Sequence, residues 1–262
     1  MSENTRVTVD RDGHVLLIGF HRPEKRNAAD MQLLEELSLA YGELERDPEL
    51  RVGFVYAHGD HFTGGLDLAD VGPRIGPTGL DIVPEGGINP WQVSGQSLTK
   101  PVVIAVQGTC LTLGIELILA SDIAVAAAGT TFGQIEVARG ILPFGGATIR
   151  FPRAAGWGNA MRWILTGDSF DAAEAHRIGL VQEVVPDGEQ YNRGLEIAHR
   201  VAAQAPLAVQ AALANARIAV RAGDAAAEVA LQPDLVRLAG SRDAAIGMEA
   251  FVSRTPAEFI GE

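Results

Sequence analysis

The sequence predicts an α/β fold in which a β-rich core is crossed by helices and followed by a helical appendage. Three observations carry this expectation. Short runs rich in β-branched and aromatic residues alternate with helical patterns from the N-terminus to about residue 185. Beyond that point the strand signals stop, and residues 188 to 255 hold alanine-rich helical patterns interrupted by Pro206, Gly223, Pro233 and Gly240. The composition over 262 residues, 47% hydrophobic, 21% charged and 6% aromatic, is that of a globular chain with a mostly aliphatic core.

The elements follow in order. HVLLIGFHRP and RVGFVYAHG are bounded by turn formers and read as strands. Between them, DMQLLEELSLAYGELERDP places Met31, Leu34, Leu37, Tyr41 and Leu44 at helical spacing, with Asp30 as N-cap and Pro48 past the end. The pattern repeats as strand PVVIAVQG, helix LGIELILAS and strand DIAVAAAG. Residues 72 to 98, with four prolines, six glycines and no clear period, predict a long loop.

Composition also bounds the function. A formal net charge of −12 excludes general affinity for nucleic acid, which needs a basic face, so a polyanionic small ligand requires a local basic patch. The single cysteine, Cys110, makes no internal disulfide, and MSENTRVTVD lacks the apolar stretch of a signal peptide, which together predict a cytoplasmic protein. No apolar run reaches the roughly 20 residues that cross a bilayer. Even LGIELILASDIAVAAAG is broken by Glu116 and Asp122. There is no Walker-type glycine loop, no GxGxxG, no CxxC and no HExxH. His58 and His61 flank Asp60 in AHGDHF, but histidines beside a glycine turn are read as loop residues, and no metal is expected.

Two stretches carry chemistry. In GDHFTGGLDLADV, Gly64 and Gly65 permit a tight backbone path that can turn the N–H of Leu66 into a cavity. In GTCLTLGIELILASD a helix beginning near Gly114 presents its N-terminus, and Glu116 sits in its first turn among Leu113, Ile115, Leu117, Ile118 and Leu119. A carboxylate buried there needs a task or a partner. Glu136, in TFGQIEVARGILPFGG, is a second isolated glutamate in an apolar setting. Desolvation raises carboxyl pKa values toward neutrality, which fits such a pair for general acid–base work.

The segments HRPEKRNA, HFTGGLDL, KPVVIAVQGTCLTLGIELILASDIAVA, TFGQIEVARGILPFGGATIRFPRAAG, LTGDSFDAAEAHRIGLVQEVVP and GMEAFVSRTPAEF, in that order, resemble the enoyl-CoA hydratase/isomerase (crotonase) superfamily. The resemblance implies a spiral of ββα repeats over residues 1–187 and a helical trimerisation region over 188–262, assembled as a homotrimer or homohexamer. It implies backbone donors for a thioester oxygen at Leu66 and Leu113, and catalytic carboxyls at Glu116, acting on water, and Glu136, exchanging a proton with the α-carbon. It implies coenzyme A contacts at Arg22, Lys25, Arg26, Ala28 and Gly64, with Arg254 reaching a phosphate, within its own chain or across a subunit interface. Leu66 and Phe144 would line the acyl pocket. The substrate would be an acyl-CoA thioester, with no cofactor beyond the coenzyme A it carries. Leu113 and Phe144 depart from the glycines usual in the family, and both side chains bear on the pocket. Hydration of an enoyl-CoA is the expected reaction. The alternatives are double-bond isomerisation by Glu136 alone and a non-catalytic CoA-binding scaffold whose pocket these two side chains close.

Overall fold

The computed structural model describes residues 5–262, so the first four residues of the stretch read above for a signal peptide lie outside it. The strands are β1 (Val7–Asp12), β2 (Val15–Phe20), β3 (Val52–Ala57), β4 (Val102–Val106), β5 (Thr109–Leu111), β6 (Ile123–Ala127), β7 (Thr131–Gly133), β8 (Ser169–Asp171) and β9 (Glu183–Val185). They form two sheets, one in the order β1-β2-β3-β4-β6-β9 and a smaller one in the order β5-β7-β8. From β2 to β9 the large sheet is parallel, and β1 closes its edge antiparallel to β2. The chain alternates between the sheets in its middle, with β4 then β5 before α3 and β6 then β7 before α4, so these two repeats each contribute one strand to each sheet. This is the ββα spiral that the resemblance implied.

The helices are α1 (Met31–Arg46), α2 (Leu68–Val71), α3 (Leu113–Ala120), α4 (Ala147–Ala155), α5 (Trp157–Thr166), α6 (Ala172–Arg177), α7 (Gln190–Ala202), α8 (Pro206–Ala222), α9 (Asp224–Ala239) and α10 (Arg242–Ser253). Asp30 caps α1 as expected, its Oδ1 accepting the Leu33 N–H at 2.9 Å. Leu33, Leu34, Leu37 and Leu44 of α1 are buried against one face of the sheet, where Ile18, Val55 and Ile104 point. Alternate residues of the same strands, Val15, Phe54 and Val103, point to the other face and pack against Ile197, Ala198 and Ala202 of α7. A Cβ at Gly194 would lie 2.6 Å from the Phe54 ring, so glycine lets α7 approach the sheet this closely.

That packing moves the boundary expected at 187/188. Helix α7 belongs to the core, and the appendage is α8 to α10, each burying a single residue within the chain. The reason is periodicity: Ile197, Ala198 and Ala202 share one face of α7, whereas α9 and α10 leave Val229, Leu235, Val236, Met248, Phe251 and Val252 exposed. Pro206, Gly223 and Gly240 mark helix ends as expected, but α9 runs through Pro233 and forgoes the bond its missing N–H would make one turn back. Among the described residues, no helix is long and apolar enough to cross a membrane.

Candidate active site

A cavity of about 340 Å³ opens where the 63–66 turn, the start of α3, residues 135–145 and the 72–98 loop converge. Leu66, Leu113, Glu116, Glu136 and Phe144 all line it, so five residues separated by 78 positions of sequence meet at one place.

The two backbone donors are aimed from behind. Ala29 and Leu66 form a parallel bridge that uses the Gly65 carbonyl, which accepts the Ala29 N–H at 2.8 Å, and the Asp67 N–H, which reaches the Ala29 carbonyl at 2.9 Å. The Leu66 N–H takes no part in this bridge. In a trans peptide the carbonyl and the N–H point in opposite directions, so anchoring the Gly65 carbonyl turns the Leu66 N–H away from Ala29. The Thr112 carbonyl likewise accepts the Glu116 N–H at 3.1 Å, which turns the Leu113 N–H outward from the first turn of α3. There the N–H has no intrahelical partner and the helix dipole adds positive potential.

Both glutamates are buried, Glu116 at 3% exposure and Glu136 at 5%. Glu116 Oε1 accepts the Ala147 N–H at 3.0 Å. A Cβ at Gly145 would lie 2.6 Å from Glu116 Oε2, so only glycine fits where the 144–146 loop passes the carboxyl. Burial pushes the Glu116 pKa up to about 7, against the backbone N–H groups of Ala147, Gly145 and Gly146 and the charge of Arg150, which favour the ionised form. Burial brings Glu136 to about 7 as well, with its own backbone N–H opposing the rise and negative charge at Glu116 adding to it. Glu136 Oε1 accepts from Gln134 Nε2 at 2.8 Å, whereas its Oε2 is buried without a partner. The Glu116 carboxyl thus has more backbone N–H groups turned toward it than the Glu136 carboxyl has.

The residues read as coenzyme A contacts divide. Lys25 and Arg26 are exposed, and Gly64 lies beside Arg26 and donates its N–H to the Arg26 carbonyl at 2.8 Å. Arg22 departs from the expectation. Its guanidinium turns inward, with Nη1 2.8 Å from Asp67 Oδ2 and Nε 3.2 Å from Asp30 Oδ2, and it holds the Asp67 carboxyl below the usual range. Arg22 Nη1 also donates to the Ala28 carbonyl at 2.8 Å, which takes up that oxygen of Ala28. An arginine in a basic run looked like surface charge, but its two aspartates lie 8 and 45 residues away in sequence. Arg254 is exposed at the end of α10 and does not line the cavity. His58 Nε2 meets Thr8 Oγ1 at 2.9 Å, and His61 Nδ1 accepts the Thr109 N–H at 3.1 Å. Among the described residues, no group of three or more His, Cys, Asp and Glu is placed to hold a metal ion.

Several positioning residues carried no readable signal. Asn27 is fully buried and its Nδ2 donates to the carbonyls of His58 and His61, while Thr63 Oγ1 donates to the Asn27 carbonyl at 2.8 Å. These bonds fix the 63–66 turn to the basic loop. The 72–98 segment is a loop as expected and lines the cavity through Leu80, Ile82, Asn89, Trp91, Val93 and Ser94. Trp91 donates its Nε1–H to the Leu113 carbonyl at 2.9 Å.

Known proteins show the same arrangement of sequence and fold. Residues 10–262 match the family model described as enoyl-CoA hydratase/isomerase. The chain belongs to this family. A 2,3-dehydroadipyl-CoA hydratase of Escherichia coli is 32% identical over 269 residues, covering 98% of this chain and 99% of that protein. A short-chain-enoyl-CoA hydratase of Clostridium acetobutylicum is 33% identical and covers 79% of each chain. Among solved structures, a probable enoyl-CoA hydratase/isomerase from Mycobacterium abscessus is 60% identical, with a TM-score of 0.96 over 98% of this chain and 99% of that one. The enoyl-CoA hydratase of Mycobacterium tuberculosis H37Rv is 31% identical, with a TM-score of 0.89 over 99% of this chain and 100% of that one. The crotonase fold and the family membership expected from the motifs thus hold over nearly the whole chain.

The buried carboxyl at Glu116 has a consequence for stability. Its folded pKa of about 7 exceeds the ordinary value of 4.5, so its contribution favours folding fully below about pH 4.5 and is lost as pH rises through 7. Glu116→Gln removes that loss. Urea unfolding should find the variant more stable than the parent at pH 8, by on the order of 2 kcal/mol, with the gap narrowing by pH 5. A gap that does not change with pH would mean that the carboxyl is not desolvated.

Proposed function

We propose that this protein is an enoyl-CoA hydratase, adding water across the 2,3 double bond of an enoyl-CoA thioester. The observation that carries the proposal is the convergence of two desolvated glutamates and two outward-turned N–H groups on one cavity. Adding water to a double bond conjugated with a thioester builds enolate charge on the thioester oxygen. The N–H groups of Leu66 and Leu113 receive that oxygen, and donors of this kind contribute about 10²–10³ each in rate. Glu116, whose ionised form is favoured by three backbone N–H groups, takes the proton from water. Glu136, whose Oε2 is buried without a partner, delivers a proton to the α-carbon, and the adduct forms with no charge left over. This chemistry uses no group beyond the side chains, the backbone and the substrate.

The scaffold alternative needed a pocket closed by Leu113 and Phe144. Both line a cavity that stays open: Leu113 donates through its backbone, and Phe144 stands at the rim, 46% exposed. Isomerisation by Glu136 alone leaves the held carboxyl of Glu116 without a task. Glu→Gln keeps shape and removes the acid–base function, so Glu116→Gln and Glu136→Gln should each lower kcat by about 10²–10⁴ with little change in thioester affinity. The double variant should be scarcely worse than either, since both groups act on one water and one substrate. Activity retained in Glu116→Gln but lost in Glu136→Gln would replace hydration with isomerisation.

The coenzyme A moiety is proposed to run along Lys25, Arg26 and Gly64; what supports this is that Gly64 lines the cavity and that Arg26 beside it and Lys25 are exposed positive charges on an acidic protein. Lys25→Glu or Arg26→Glu should weaken binding of an acyl-CoA by several-fold to about tenfold at low ionic strength, and less in high salt, as read by calorimetry. Unchanged binding in both variants would overturn the placement.

A homotrimer or homohexamer is proposed from the apolar side chains that α9 and α10 leave exposed, Phe251 at 81% and Val229 at 76% among them. Light scattering at micromolar concentration should give the mass of three or six chains, and a monomer would overturn the assembly together with any role for Arg254 across an interface. A cytoplasmic setting belongs to the same proposal, and Cys110 is a buried free thiol, in keeping with a reducing compartment.

A further inference from the structure

Thr112 precedes the Leu113 donor and is held at φ +48° and ψ −110°. A β-branched residue is a steric outlier at positive φ, and these angles lie close to the first central position of a type II′ turn, where glycine is the usual residue. Its Oγ1 is buried without a hydrogen-bond partner. Glycine at 112 would remove both costs, so a threonine there conflicts with its local structure twice, as residues at functional sites do.

What the side chain touches gives it a task. A Cβ built on Gly65 would lie 2.6 Å from Thr112 Oγ1, 3.6 Å from its Cγ2 and 3.7 Å from its Cβ. Gly65, itself at φ +98°, precedes the Leu66 donor. The two residues that precede the two donors are therefore packed side chain against Cα. Each donor peptide is anchored at its carbonyl by a different element, Gly65 by Ala29 and Thr112 by Glu116. Thr112 is the wedge between them.

Accepting the thioester site proposed above, we infer that Thr112 is a positioning residue of the oxyanion hole: its constrained backbone aims the Leu113 N–H, and its side-chain volume against Gly65 sets the spacing to the Leu66 N–H. The volume carries the role rather than the hydroxyl, because Oγ1 is buried against Gly65 and hydrogen-bonds to nothing, although Thr112 is among the residues lining the cavity.

Three variants test this. Thr112→Ala removes the wedge and keeps the constrained φ, Thr112→Gly removes both, and Thr112→Val keeps the wedge without the hydroxyl. The direct readout is the infrared carbonyl stretch of a bound, saturated acyl-CoA carrying a ¹³C-labelled thioester, which two well-aimed donors shift to lower frequency. The alanine and glycine variants should lose at least half of that shift and about tenfold in kcat, since small misplacements at a reacting centre cost this much or more. KM should stay within about twofold. Valine should recover most of both losses. The glycine variant should melt no lower than the alanine variant, because it also relieves the backbone.

Alanine and glycine variants that keep the parental carbonyl shift would overturn the inference while leaving hydration standing. A valine variant as impaired as alanine would assign the role to the hydroxyl and overturn the wedge. A parent that polarises the bound carbonyl but adds no water would overturn hydration and leave Thr112 in place.

Discussion

Glu116 is 3% exposed, and its carboxyl is met by the Ala147 N–H at 3.0 Å at the point where α3 begins. Holding an acid out of water costs stability unless the surrounding backbone answers it. Much of the local architecture is that answer. The 144–146 loop passes so close that only glycine fits at 145, and α4 starts with the N–H that the carboxyl accepts. Arg150 of α4 lies close enough for its charge to favour the ionised form. Its Nη2 also donates to the Gln92 carbonyl at 3.1 Å, which ties the 72–98 loop to the same loop that holds the glutamate. One desolvated group thereby links the floor of the cavity to its wall.

The donor side of the cavity is built by a different device. Asn27 and Thr63 join the basic loop to the 63–66 turn, and Arg22 joins that loop to Asp30, the cap of α1, and to Asp67, which follows the Leu66 donor. Asn27, Thr63, Arg22 and Asp30 are buried, where hydrogen bonds and ion pairs are screened least, and Asp67 is partly exposed. The turn is therefore rigid although it lies in a loop, and the N–H of Leu66 needs no secondary structure to hold its direction. Preorganised donors of this kind stabilise developing charge because they do not reorganise when it appears.

Much of this was legible before the fold was known, and what was illegible has a common cause. Periodicity located β2, β3, β4, α1 and α3 because each segment is amphipathic or fully apolar over its own length. Glu116 and Glu136 stood out because a carboxyl among aliphatic neighbours is anomalous within a short window. Arg22 was misjudged because its partners are distant in sequence, and charge runs in sequence do not reveal which member turns inward. The boundary after residue 187 was misplaced for the same reason: an alanine-rich helix that covers a sheet and one that waits for a subunit read alike until the sheet is in place. Thr112 had no signal at all, since φ is a property of the fold and threonine is common before helices.

Leu113 and Phe144 are the positions where side-chain identity departs from the family pattern, and the two departures differ in kind. At Leu113 the functional group is the peptide N–H, which every residue except proline supplies, so the side chain is free to become 5% exposed wall. What limits that position is the backbone before it, and there the constraint falls on Thr112. Phe144 is different because it contributes only its ring, half-exposed where it lines the cavity. On the proposed reading the chemistry falls to backbone and carboxyls, whereas Phe144 and, from the loop, Leu80, Ile82 and Trp91 supply apolar lining of the same cavity that an acyl group would meet. Selectivity between acyl groups then lies in apolar contacts, each methylene contributing about 1–3 kcal/mol of discrimination at most. A chain of this design changes substrate by exchanging loop side chains, without disturbing the carboxyl at the head of α3.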